Sequence, residues 1–141
     1  MGYIDWFEKH YKKHKKIVDK LLQQNYTKEM IIDYFDYDNM VKKEIDFCPL
    51  YKDNKKCHNM QELNCYLCAC PNFRFNDNGI KKVDDVTLFS ICNINSKDGK
   101  QSRYGEKIHQ NCIDCTIPHH KKYISEHFHY DWKTIMQKCR V

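Results

Sequence analysis

Nowhere in this chain of 141 residues does an apolar run extend far enough to cross a membrane. The first 22 residues alternate apolar and charged side chains and never offer the uninterrupted apolar stretch of an export signal. The expectation is a cytoplasmic protein, in a reducing compartment where clustered cysteines serve metal or redox chemistry more often than structural disulfides. Catalytic and cofactor motifs are missing too. There is no His-Glu-x-x-His, no deaminase His-x-Glu with Pro-Cys-x-x-Cys, no haem-attaching Cys-x-x-Cys-His and no Gly-rich phosphate loop, so the reading favours a non-enzyme. Large apolar residues are scarce: Ile, Leu, Val and Phe together make 31 of 141 positions, close to the roughly 20% below which highly charged chains tend to stay disordered. A length of one domain with so thin a core needs something besides apolar burial to hold it together.

That something is cysteine. Of nine in the chain, eight fall between positions 48 and 115: Cys48, Cys57, Cys65, Cys68, Cys70, Cys92, Cys112 and Cys115. Eight thiols make two tetrahedral sets of four. Cys65/Cys68 and Cys112/Cys115 have the Cys-x-x-Cys spacing that lets a tight turn aim two sulfurs at one ion, although 43 intervening residues exceed the separation of an ordinary zinc ribbon. Cys70 either shares the ion of Cys68 or serves a neighbouring one, and counting favours two sites. The expected partition is Cys65, Cys68, Cys112 and Cys115 in one, with Cys48, Cys57, Cys70 and Cys92 in the other. His58 and His119 stand within reach as alternate ligands. His10, His14, His127 and His129 lie outside the cluster and are read as solvated. Zinc is the expected ion, as a pair of Zn2+. An iron–sulfur cluster is the alternative, because all-cysteine sets suit both and Cys65-x-x-Cys68-x-Cys70-Pro71 shares part of a ferredoxin spacing.

Thiolate ligation also changes the charge. Eight negative charges against the four positive charges of two divalent ions lower the formal net charge from +5 to +1. What remains is local: residues 1–24 hold six Lys against three acids, and residues 25–64 hold six Lys against eight acids. Large side chains recur at Tyr3, Phe7, Tyr11, Val18 and Leu21 with helical period, which predicts an amphipathic helix over 3–22. Thr27 is placed to cap a second helix over 28–35. Trp132, Ile135, Met136 and Cys139 follow an i, i+3, i+4, i+7 pattern, which predicts a C-terminal helix and makes Cys139 a packing residue. Between Phe47 and Pro118 regular periodicity fades and loops held by metal are expected, with Val86 to Cys92 as a strand.

At the central motif the chain resembles a known family. Asn64-Cys65-Tyr66-Leu67-Cys68-Ala69-Cys70-Pro71-Asn72-Phe73, preceded by Phe47-Cys48 and Cys57-His58 and followed by Asp114-Cys115-Thr116-Ile117-Pro118-His119, resembles the cysteine-rich small domain family. That is a prokaryotic zinc-binding module found alone or fused to a phosphatase-like domain associated with cobalamin biosynthesis. The resemblance covers about 47–124 and implies ligands at Cys48, Cys57, His58, Cys65, Cys68, Cys70, Cys92, Cys112, Cys115 and His119. It departs at Cys92, where Asn93-Ile94 stand in place of the family's Gly-Gly.

The fold expected is thus a small metal-stabilised α+β or irregular domain, loop-rich and zinc-finger-like, with N-terminal and C-terminal helices. It divides into a helical region (1–46), a metal-binding domain (47–124) and a C-terminal helix (125–141). The function expected is a cytoplasmic metal-binding scaffold for an unknown protein partner, with an iron–sulfur redox protein or sensor as the alternative. Nucleic acid is an alternative partner through Lys9, Lys12, Lys13, Lys15 and Lys16.

Overall fold

The structure, a computed structural model, describes residues 2–141. It is a small α+β domain. Helix α1 (Tyr3–Gln23) carries one face of buried residues, Phe7, His10, His14, Ile17, Val18 and Leu21, spaced to lie along one side of a 3.6-residue helix. Its first turn has no cap from its own sequence. Instead the Asp77 carboxylate, 74 residues downstream, accepts from the backbone N–H groups of Tyr3 (2.6 Å) and Ile4 (3.0 Å), which satisfies two of the free donors and places a negative charge at the positive end of the helix dipole. Gly2 has no side chain for this reason: a Cβ there would lie 2.7 Å from the Asp77 carboxyl.

Asn25, in the left-handed region at φ 62°, ends the helix, and the Tyr26 N–H returns to the Leu21 carbonyl. Thr27 then accepts from the Met30 N–H and caps α2 (Lys28–Tyr34). A third helix, α3 (Tyr37–Lys43), follows at once and was not foreseen, because its seven residues bury only Tyr37 and Met40, too few to show a helical period in the sequence. A 3-10 turn (Pro49–Asp53) carries Tyr51 into the interior.

The stretch expected to be loops contains six short strands. β1 (Phe73–Phe75) pairs antiparallel with β4 (Ser90–Cys92), with Phe73 opposite Cys92. A second sheet has the order β2-β3-β6-β5, built from Lys81–Val83, Val86–Leu88, Lys107–Asn111 and Lys100–Tyr104, with only the β3–β6 pair parallel. Val86 to Cys92 is therefore two strands, broken at Phe89. Ser90 joins the sheets to α1: its buried hydroxyl accepts from the Gln110 N–H (2.7 Å) and meets the Tyr3 hydroxyl (2.9 Å).

The C-terminal part is not one helix. It comprises a 3-10 turn (Ile117–His119), α4 (Lys121–Glu126), a loop, α5 (Trp132–Ile135) and a final turn. The apolar spacing is nonetheless meaningful, because Trp132, Met136 and Cys139 are all buried. Helix ends early because the last residues run beside β1: the Phe75 N–H donates to the Cys139 carbonyl, and the Val141 N–H donates to the Phe75 carbonyl.

The core joins all these parts. Phe7, Phe35, Phe47, Tyr66 and Trp132 form its aromatic centre. Within it lie His10 and His14, which corrects their reading as solvated: both fall on the stripe of α1 that faces Phe47 and Trp132. No helix among the described residues is long and apolar enough to cross a membrane.

Candidate metal centre

Cys65-Tyr66-Leu67-Cys68 is a tight turn closed by the Cys68 N–H on the Cys65 carbonyl (3.3 Å), with the Cys70 N–H on the Leu67 carbonyl (2.9 Å). Tyr66 and Leu67 are wholly buried and anchor the turn in the aromatic core. Its far end is tied by the Trp132 indole N–H, which donates to the Cys68 carbonyl. Ala69 and Cys70 then both adopt positive φ, 91° and 60°. Two successive left-handed residues without glycine are costly, on the order of 1 kcal/mol or more each, and they turn the chain so that Cys68 and Cys70 face different surroundings.

The electrostatic environment of each thiol identifies its neighbours. Cys68 is pushed well up by burial and then by Cys65, Cys57 and Cys48. Cys65 rises to about 12, through burial and then Cys57 and Cys48, and Cys57 to about 11, through burial and then Cys48. On the other side, Cys70 rises to about 11 through burial and then Cys92 and Cys115. Cys112 likewise rises to about 11, through burial and then Cys70, Cys115 and Cys92. The thiols thus form a first group, Cys48, Cys57, Cys65 and Cys68, and a second, Cys70, Cys92, Cys112 and Cys115. This differs from the expected partition, which paired the two Cys-x-x-Cys motifs. Cys112/Cys115, another turn closed by the Cys115 N–H on the Cys112 carbonyl, sits instead with Cys70 and with Cys92, which β4 delivers beside β1. Cys139 stays outside both groups, its thiol directed at the Cys70 carbonyl.

Without a cation, burial holds the thiols of Cys57, Cys65, Cys68, Cys70 and Cys112 in the neutral form, so these five are neither activated nucleophiles nor ready thiolates. Deprotonation needs a compensating positive charge, which a metal ion supplies.

His58 and His119 lie beside Cys57. The His119 Nε2 is 3.7 Å from the Cys57 sulfur, and its Nδ1 lies 2.8 Å from the Asn64 carbonyl. A carbonyl only accepts, so Nδ1 carries the proton and Nε2 presents its lone pair toward Cys57. Burial lowers the His119 pKa to about 4, which keeps the ring neutral. His58 is arranged alike, with Nδ1 2.8 Å from the Ile113 carbonyl. This is the outer hydrogen bonding that orients metal-ligating histidines. Cys57, His58 and His119 form the one group of three or more such side chains, among the described residues, whose ligand atoms all lie within 4.8 Å of one another.

Two residues that sequence reasoning passed over organise the first group. Asn64 is buried; its amide donates to the Ile32 carbonyl and to Asp36, its side-chain oxygen accepts from the Tyr66 N–H, and its backbone carbonyl orients His119. Tyr51 is also buried, with a hydroxyl that has no hydrogen-bond partner and lies near enough to Cys65 to favour its thiolate against burial. Their position, one directly before Cys65 and the other three after Cys48, is the only sequence signal of either role.

A cavity of about 420 Å³ lies between the two groups, lined by thiols of both, by Cys57, His58 and His119, and by the aromatic residues of α1 and β1. Compared with family models, curated proteins and solved structures, the chain matches none.

Proposed function

We propose that this chain is a metal-binding domain whose ions are structural, zinc first among them, and that it acts as a scaffold module for a protein partner. The observation that carries the reading is the division of eight cysteines into two neighbourhoods of four across the left-handed turn at Ala69 and Cys70. Four thiolates suit a closed, structural zinc site. The first centre draws on Cys48, Cys57, Cys65 and Cys68, with His58 and His119 adjoining, and the second on Cys70, Cys92, Cys112 and Cys115. The Cys/His/His group supports zinc in particular, since soft thiolate and imidazole together are its common donors.

One observation favours a second reading. Zinc–sulfur bonds of about 2.3 Å hold tetrahedral sulfurs about 3.8 Å apart, whereas neither group of thiols converges within 4.8 Å as a set. An iron–sulfur cluster, which interposes sulfide between its irons, spreads its thiolates more widely. Elemental analysis of anaerobically purified protein separates the two: zinc at two per chain with a colourless solution is expected, and iron with acid-labile sulfide and a brown colour would replace zinc by the cluster. Cys70→Ser is expected to lose one ion and keep the other. Retention of the full metal content would remove the two-centre division.

A further inference from the structure

We propose that Cys57, His58 and His119 hold a divalent ion through three protein ligands and leave its fourth position to an exogenous ligand, a small molecule with one anionic donor and an apolar, aromatic-sized body. This rests on the metal-binding reading and replaces the closed, four-thiolate form of its first centre: Cys57 is the one thiolate of that group bound to the ion, and Cys48, Cys65 and Cys68 stay beside it as uncoordinated thiols.

Three observations carry it. First, the ligand atoms of these residues converge within 4.8 Å, and no other Cys, His, Asp or Glu joins them at that distance among the described residues. A four-coordinate ion seated there has one position that the protein does not fill, the arrangement that distinguishes open from closed zinc sites. The two imidazoles are already held by the Asn64 and Ile113 carbonyls in the tautomer that ligation requires, so little reorganisation is needed.

Second, all three residues line the same cavity of about 420 Å³, within the range that accepts a small molecule. The far walls are aromatic: Tyr3, Trp6 and Phe7 from α1, and Phe73 and Phe75 from β1. Cys57 is exposed, so the cavity can be reached from solvent at the metal end.

Third, charge selects the head group. No Lys, Arg, Asp or Glu lines the cavity among the described residues, so the ion alone can receive a charged group there. One thiolate and two neutral imidazoles leave a divalent ion with a single net positive charge, which a monoanionic carboxylate or thiolate neutralises. The second group of cysteines lines the same cavity, and four thiolates around a divalent ion carry two net negative charges. A second acidic group on the ligand would therefore be repelled.

The test uses the full chain loaded anaerobically with Co2+, whose visible bands report coordination. Addition of 3-phenylpropanoate is expected to change those bands saturably, and acetate to do so with an apparent affinity roughly 10-fold weaker or more, because it lacks the buried ring. His58→Gln and His119→Gln are each expected to abolish the response while the sulfur-to-cobalt absorption of the second centre persists. Two equivalents of cobalt with bands indifferent to 3-phenylpropanoate would overturn the open position while leaving the metal-binding reading intact. A response undiminished in both histidine variants would overturn the assignment to this trio. Failure of the parent chain to retain two equivalents would bring down the metal reading and this inference with it.

Discussion

His10 and His14 stand among aromatic rings where an apolar residue would ordinarily sit. His10 stacks on Trp6, its Nε2 has no partner, and burial lowers its pKa to about 3. His14 falls to about 3 through burial and then through His10, while its Nε2 faces the Tyr66 carbonyl at 3.0 Å. Both are neutral in the folded protein at neutral pH. Their folded pKa lies below the ordinary value of 6.5, so the unfolded chain binds more protons between the two values. The stability they support is complete above about pH 6.5 and drains away as pH falls toward about 3, by up to about 5 kcal/mol for each ring. Urea midpoints measured across this range should therefore decline, and His10→Phe, which removes an unpaired buried nitrogen and keeps the stacking, should flatten the decline and leave stability at pH 7 unchanged or raised.

The elements show which local rules prevail when they meet tertiary demands. α1 and α2 could be read in advance because an amphipathic period and a capping threonine are local signals. The burial face of α1 was read about one position off, through Tyr11 where His10 and His14 belong, because histidine carries little apolar weight in a pattern. The strands of three to five residues are too short to show alternation, and the double left-handed turn uses alanine and cysteine, which give no warning of it. That turn is what redirects Cys70, so the clustering of the thiols was legible and which of them neighbour one another was not. The cap of α1 is equally invisible locally, since it comes from Asp77. Asp77→Ala is expected to destabilise the fold by about 1 kcal/mol, seen as a lower denaturation midpoint, whereas a substitution at neighbouring Asn78, whose side chain makes no such cap, should have little effect.

At the scale of the whole molecule, the core is unevenly spread. The aromatic core spans α1, α2, the central turn and α5; the strands and the loops around Cys57, Cys92 and Cys112 have few large buried side chains of their own. Structural zinc contributes an apparent ~10–16 kcal/mol in small peptides, as much as the ~5–15 kcal/mol by which a whole domain is stable. Chelation under reducing conditions is thus expected to abolish the native circular dichroism of the strands and loops, and an unchanged spectrum after verified metal removal would show that the core suffices alone. Of the five lysines on α1 that a nucleic acid would engage, Lys15 is paired with Asp19 on its own helix.

The short stretch from Phe75 to Asp77 receives both ends of the described chain. Asp77 holds the start of α1 by its carboxylate, and Phe75 holds Cys139 and Val141 by its backbone. Head and tail are consequently neighbours, and the backbone is nearly a closed circuit with its opening beside β1. A short flexible bridge can complete that circuit, and the exposed reversal at Asp84 and Asp85 offers a place to cut it. For anyone rearranging this protein, the order in which its segments are written is therefore negotiable, whereas the meeting point at Phe75 is not.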